Sequence, residues 1–178
     1  MEKDPRKLLG EAVRVLLEDR TIEEISVKEI LTKAKVSRYQ FYKYFHSKEE
    51  LVRWEYLHIL SVHARDILGS SSWSEALYKK FLVYQSNLKF FQHVYQGKDI
   101  EDLRQVNRRF VRDAYRMMLH HAGADLNNPH IIFATEMVVV GGEEMTIRWI
   151  VDGMKVPIEV MLVLFQESIP VCISQYFY

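Results

Sequence analysis

The chain has 178 residues, of which 48% are apolar and 12% aromatic, so it can bury a sizeable core and intrinsic disorder is excluded. The formal net charge is zero, which excludes a nucleic-acid binder that works through bulk positive charge. Glycine (7) and proline (4) are scarce and apolar residues recur at helical spacing, so the sequence predicts an all-α protein.

Cys172 is the one cysteine, which rules out an internal disulfide and suits a reducing compartment. The N-terminal segment is charged throughout and lacks the apolar stretch of a signal peptide. No apolar run approaches the roughly 18 residues that a membrane span needs. We therefore expect a cytoplasmic protein with no membrane partner.

The first helix is predicted over residues 5–19, with Asp4 as its N-cap and Pro5 in the first turn. Three capping-box signals follow within a short stretch, and they predict three consecutive short helix starts with almost no linker. This is the pattern of a helix-turn-helix head. The pairs are Ser26 with Glu29, Ser37 with Gln40, and Ser47 with Glu50.

Positive charge is concentrated between Lys28 and Lys48, where six basic residues face a single acidic residue, Glu29. Such a patch on a neutral protein is typical of a confined DNA-contacting face. Its members are Lys28, Lys33, Lys35, Arg38, Lys43 and Lys48.

The third helix, after Ser37, is predicted to pack Phe41, Tyr44 and Phe45 inward, and Val36 is predicted to fill the turn before it. Aromatic, Arg and Gln side chains on its other faces suit a surface that meets a DNA groove. These outward residues are Arg38, Tyr39, Gln40, Tyr42 and Lys43.

The segment VSRYQFYKYFHSKEEL resembles the recognition-helix signature of the TetR family, V-[ST]-x-x-x-[FL]-Y-x-[HY]-F-x-[SN]-K-x-x-L. The resemblance covers about residues 5–52 and implies a head whose third helix docks in the major groove. Tyr39 and Gln40 depart from the family's usual small residue and Ser or Thr. The docking mode is therefore carried over, and the operator sequence is not.

The DNA-binding residues predicted in this way divide by role. Base readers would be Arg38, Tyr39, Gln40 and Lys43, although Gln40 has a rival role in the cap of Ser37. Phosphate contacts are expected from Lys28 and Lys48, for which plain solvent exposure is the alternative, and from Tyr42 and Tyr44, with partial burial in the core as the alternative for Tyr44. Ser37 completes the predicted DNA-binding set.

Further helices are predicted from cap and stop signals. They begin at Ser47, Ser72, Asn87, Asp99, Asn128 and Pro157, and Pro170 should kink or interrupt the last one. Residues 131–140 are apolar on most faces, which predicts burial on both sides of that helix.

An aromatic-rich concavity with a few polar groups suits a small ligand, so an effector pocket is predicted in the body, with ordinary core packing as the alternative for each residue. The candidates are Trp54, His58, Tyr84, Phe91, Tyr95, Phe110, Tyr115, Glu144 and Trp149.

The family resemblance implies a homodimer through the last two helices, with close helix approach at Gly141 and Gly142. The body is similar to the subgroup of dihydroxyacetone-kinase operon regulators. The predicted division is a DNA-binding head in residues 1–52 and an effector-binding and dimerisation body in residues 53–178.

The sequence thus predicts a ligand-responsive homodimeric repressor that binds a pseudo-palindromic operator. The alternative is a helical co-regulator that works through protein–protein contacts and does not bind DNA. No nucleophile–base pair, cofactor motif or metal-ligand spacing occurs, so no enzyme, cofactor or metal is expected.

Overall fold

The computed structural model describes residues 4–97 and 101–177, and within them every regular element is an α-helix, which confirms the all-α prediction. None of the described helices combines the length and apolar character that a membrane crossing requires. In chain order the helices are α1 (Pro5–Leu16), α2 (Val27–Ala34), α3 (Arg38–Tyr44), α4 (Lys48–Leu68), α5 (Trp73–Ser86), α6 (Leu88–Gln96), α7 (Glu101–His121), α8 (Pro129–Val151), α9 (Ile158–Glu167) and α10 (Val171–Ser174).

The predicted capping boxes at α2 and α3 are both formed. In each, the serine hydroxyl accepts from the N–H three residues on, and the Glu or Gln accepts from the serine N–H. At α4 the Ser47 hydroxyl accepts from the Glu50 N–H, but the Glu50 carboxylate accepts from the His46 N–H instead.

Helix boundaries follow the cap signals closely, with a few shifts. α1 begins at Pro5 as predicted but ends at Leu16, three residues before the predicted end at Asp19. The break between α9 and α10 confirms the predicted interruption at Pro170. The predicted cap at Asp99 lies outside the described residues.

The prediction that residues 131–140 are buried on both sides is wrong within the chain. Ile131, Ala134 and Val139 are buried, but the other side of α8 is exposed. Apolar side chains on that side are between 45% and 69% exposed, and they are Ile132, Phe133, Met137, Val140 and Met145. Apolar runs alone do not reveal which side of a helix finds cover in its own chain.

Two apolar clusters form the core. The larger one runs without interruption from Leu9 on α1 through Phe41 on α3 to Phe91 on α6 and Met161 on α9. The smaller one surrounds Trp73, whose indole N–H donates to the Tyr115 hydroxyl at 2.7 Å. The head therefore rests directly on the body.

α4 carries this connection, because it packs on both α1 and α5. A second link joins α1 to the end of α5, where the Arg14 guanidinium donates to the Asn87 side-chain oxygen at 2.9 Å. The predicted division of the chain after residue 52 falls within α4 and stays a prediction.

Candidate DNA-binding site and effector cavity

The turn between α2 and α3 is set by two residues. Lys35 adopts a left-handed conformation with φ 54° and closes α2, and Val36 then buries its side chain between the helices at 8% exposure. Ser37 starts α3 through its cap. This tight helix–turn–helix leaves α3 on the outside of the head, as the sequence predicts.

α3 is held from below by aromatic packing. Phe41 and Phe45 are fully buried, with ring centroids 5.9 Å apart, and Phe45 also meets the edge of Trp54 on α4 at 5.8 Å. Tyr44 is half-buried, and the Arg6 guanidinium lies 5.6 Å from its ring centroid. The helix therefore has a fixed orientation on the head.

The opposite face of α3 is open. Tyr39 is 80% exposed and Tyr42 is 45% exposed, and Arg38 and Lys43 are exposed beside them. The Arg38 guanidinium lies 5.5 Å from the Tyr42 ring centroid, one helical turn away. The face thus presents cations and phenol hydroxyls, which are groups that contact base edges and phosphates.

Gln40 is occupied by the helix cap. Its side-chain oxygen accepts from the Ser37 N–H and from the Ser37 hydroxyl, both at 3.1 Å. Reading adenine requires both the oxygen and the amide nitrogen of a glutamine. Gln40 and Ser37 would have to break the cap to read a base, so we assign them to helix initiation.

The six basic residues of the stretch do not share one role. Lys28, Lys33, Lys35, Arg38 and Lys43 are exposed. The Lys48 ammonium instead donates to the backbone carbonyls of Ile22 at 2.5 Å and Ile25 at 2.8 Å, between α1 and α2. Lys48 is therefore placed to fasten the α1–α2 link, a role that the sequence did not indicate.

Lys48→Ala is expected to lower the free energy of unfolding by about 1–3 kcal/mol, because it leaves partly buried carbonyls without their charged donor. Urea unfolding measures this, with the exposed Lys33→Ala as the matched control. A Lys48→Ala variant of unchanged stability but weaker DNA affinity would return Lys48 to the phosphate-binding role.

The nine predicted pocket residues do not line one pocket. Trp54 and His58 stack on each other within α4, with ring centroids 4.8 Å apart, and belong to the head–body joint. The Trp149 indole donates to the Val156 carbonyl at 2.8 Å. Glu144 pairs with Arg104 at 2.7 Å on the surface.

Tyr115 belongs to the smaller core cluster and Phe110 is half-buried on α7. The remaining three, Tyr84, Phe91 and Tyr95, are buried together, and the Tyr84 and Phe91 ring centroids are 4.8 Å apart. Tyr84 and Tyr95 do line a cavity of about 40 Å³ among α5, α6, α7, α8 and α9.

Polar residues that the sequence reading missed form one wall of this cavity. The Lys80 ammonium donates to the Asn107 side-chain oxygen at 3.4 Å, and the Asn107 amide donates to Glu143 at 2.9 Å. Arg104 and Arg108 also donate to Glu143, at 3.3 and 2.5 Å. Burial lowers the pKa of Lys80 to about 8, against the opposing effect of Glu143.

A second missed group lies at the joint between head and body. Glu55 on α4 is 3% exposed. Its Oε2 is the one buried side-chain nitrogen or oxygen atom of the described residues that has no hydrogen-bond partner. Arg14 is its nearest cation, with 3.8 Å between Nε and Oε1. Burial raises the pKa of Glu55 to about 7, although Arg14 lowers it.

Gly10 makes this joint possible. A Cβ atom at position 10 would collide with the Glu55 carboxylate and touch the Trp54 ring. α1 can therefore approach α4 closely only at a residue without a side chain.

Among the described residues, no group of three or more His, Cys, Asp or Glu side chains is placed to hold a metal ion.

Known proteins resemble both parts of the chain. The family model described as "Bacterial regulatory proteins, tetR family" matches residues 9–53, and that described as "Transcriptional regulator C-terminal region" matches residues 71–170, more than half of the chain.

The HTH-type dhaKLM operon transcriptional activator DhaS of Lactococcus lactis subsp. lactis (strain IL1403) is 27% identical over 90 residues, which cover 51% of this chain and 48% of that protein. The match thus spans about half the length of this relative. The solved structure of a dihydroxyacetone kinase operon activator DhaS shares the fold, with a TM-score of 0.76, 17% identity and 97% coverage of both chains. The chain therefore belongs to the tetR family of bacterial regulatory proteins, whose members are DNA-binding regulators of transcription.

Proposed function

We propose that the chain is a homodimeric regulator that places α3 of each head in the major groove of a pseudo-palindromic operator. The observation that carries this is the exposed face of α3, with Arg38, Tyr39, Tyr42 and Lys43, on a helix fixed from below by Phe41. The fixed backing matters because base contacts require a helix that does not shift in the groove.

Arg38 and Lys43 are our candidates for guanine, since their donors match its O6 and N7 acceptors. Tyr39, which is 80% exposed, would contact base edges. Lys28, Tyr42 and Tyr44 would contact the backbone, which sets register without reading sequence.

The dimer is supported by the exposed apolar side of α8 and its continuation on α9. Val160, Val163 and Leu164 on α9 are 47–48% exposed. Leu164 lines a surface groove together with Met137 of α8. A second copy related by a two-fold axis would cover the same surface on both chains. Its two heads would then reach successive major grooves, about 34–36 Å apart.

The two glycines of α8 lie on different sides of the helix and serve different contacts. A Cβ at Gly142 would lie 3.1 Å from the Phe165 ring, so Gly142 serves the approach of α9 in the same chain. Gly141 is exposed, with nothing within 4 Å of its Cβ position, and lies on the side proposed for the partner copy.

Phosphate contacts make DNA affinity fall as salt rises, with a slope set by the number of phosphates neutralised. A Lys28→Ala variant is expected to reduce the slope of log affinity against log salt by about 1. Fluorescence anisotropy on a duplex measures the slope, and the exposed Lys89→Ala is the matched control. Equal slopes for the two variants would remove Lys28 from the interface.

One observation favours the second candidate, a co-regulator that binds another protein. Tyr39, 80% exposed, is an aromatic side chain of the kind enriched in protein interfaces. Absence of any salt-dependent DNA binding by the parent chain would favour this role.

The direction of regulation separates two further proposals. The family resemblance predicted repression, whereas both DhaS proteins are named activators. Expression of a reporter behind a bound site distinguishes them. In either case the chain would act in the cytoplasm, without catalysis, and a small effector in the body would change the affinity for DNA.

A further inference from the structure

The cavity between α5 and α8 has a chemical character of its own. Its volume of about 40 Å³ is room for roughly three water molecules, or a ligand of about four non-hydrogen atoms. One side is aliphatic and aromatic, with Leu77, Phe81 and Ile147. The other side is lined by Lys80, Tyr84 and Tyr95.

The positive charge of Lys80 is only partly neutralised by neighbouring side chains. Its ammonium has three donors, yet within the described part of the chain it makes one long hydrogen bond, 3.4 Å to Asn107, and otherwise lies 5.8 Å from the Tyr84 ring centroid. Glu143 is the nearest acid on the cavity wall, but Asn107, Arg104 and Arg108 already donate to its two oxygens. A ligand in the cavity would therefore meet the Lys80 ammonium, whose hydrogen-bond donors are largely free.

The tyrosines add no negative charge, and the Tyr95 hydroxyl is hydrogen-bonded to those of Tyr56 and Tyr84. Burial raises the pKa of both Tyr84 and Tyr95 well above the ordinary value, so both phenols stay protonated. An oxygen atom with a negative charge would satisfy Lys80, and a short alkyl group would fill the apolar side. One lysine suits a single negative charge better than a phosphate dianion.

We propose that this cavity is the effector site and that it binds a small monocarboxylate of about the size of acetate. The proposal rests on the function proposed above, because an effector has meaning only for a regulator. A neutral carbonyl compound or amide would lack the charge that Lys80 leaves unmatched.

The cavity is connected to the head by a short chain of contacts. The Tyr95 hydroxyl hydrogen-bonds to the Tyr56 hydroxyl on α4 at 3.1 Å, and α5, which carries Lys80 and Tyr84, packs along α4. A ligand held by Lys80 would shift α5 and Tyr95 and thereby change the setting of α4, the helix that follows the DNA-binding head.

Titration of the full chain with sodium acetate tests the ligand class. Calorimetry at pH 6.5 and constant ionic strength should give a dissociation constant on the order of 1–10 mM, as expected for so small a ligand. Acetate at 50 mM should raise the melting temperature by about 3–5 °C. Lys80→Met should weaken binding at least tenfold, while the exposed Lys155→Met should not change it.

A second measurement uses the parent chain alone. Acetate binding should weaken as the pH rises above about 8, where Lys80 loses its proton. Acetamide, which has the same shape and no charge, should not bind. Equal binding of acetate by Lys80→Met, equal binding of acetamide, or a flat pH profile would each overturn the proposal.

DNA affinity in the presence of acetate separates this inference from the function on which it rests. A Lys80-dependent change in DNA affinity supports the effector site. Acetate binding that leaves DNA affinity unchanged would overturn the effector role. A chain that binds no DNA would contradict the proposed function, and the acetate titration would still decide whether the cavity takes a carboxylate.

Discussion

Phe133→Asp is expected to convert the proposed dimer into monomers and to weaken operator binding about a hundredfold or more. Phe133 is 69% exposed on the apolar side of α8 and would be buried against the partner copy. A carboxylate in that position loses its water without gaining a partner, which costs several kcal/mol. Two separate heads also lose the roughly 10²–10⁴-fold advantage of binding the two half-sites together.

Sedimentation measures the mass of the assembly, and anisotropy measures the DNA affinity. Val62→Asp is the matched control, because Val62 is 60% exposed on α4, away from the proposed dimer surface. A Phe133→Asp chain that remains a dimer of unchanged DNA affinity would contradict the assignment of the α8–α9 face.

Glu55→Gln is expected to stabilise the protein near pH 8 and to remove a pH dependence from its unfolding. The pKa of Glu55 is raised from 4.5 to about 7 by burial, so the folded state holds this proton more tightly than the unfolded state. The free energy of unfolding therefore falls as the pH rises from about 4.5 to 7, where the folded protein must bury a charge. The charged Glu55 therefore costs roughly 3 kcal/mol of stability near pH 8, whereas the glutamine is uncharged at every pH.

The measurement is urea unfolding of the parent and the variant at several pH values. The difference in stability should grow across pH 4.5–7 and then stay constant. His58 and His93, whose pKa values are lowered by burial, titrate in both proteins. Subtracting the stability of the parent from that of the variant at each pH removes their contribution. Glu18→Gln, at an exposed position, is the control, and an equal effect of the two substitutions would contradict this role of Glu55.

Local signals in the sequence predicted the head well. Caps such as Ser26 with Glu29 form within four residues of the chain. The spacing of Phe41 and Phe45, four residues apart, likewise predicted correctly that both are buried. Such signals depend on neighbours in the chain, so they can be read without knowing the fold.

Residues whose roles depend on distant segments could not be predicted in this way. Lys48 binds carbonyls 23 and 26 residues earlier, and Lys80 meets Asn107 from 27 residues away. Nothing in the local sequence distinguishes these lysines from exposed ones such as Lys33. Only Tyr84 and Tyr95 of the predicted pocket residues line the cavity, because an aromatic that lines it, such as Tyr84, and one that packs in the core, such as Phe91, have the same spacing in the sequence.

Selection of bound duplexes from a random DNA pool tests the central claim most directly, because it examines DNA binding, symmetry and half-site spacing together. We expect an enriched pseudo-palindrome whose half-sites are about one or two helical turns apart. With Arg38→Ala, sequence preference should relax at one symmetric pair of positions while the spacing is kept. Enrichment of no sequence, or of a single half-site without symmetry, would contradict the account of a dimer that reads DNA through α3.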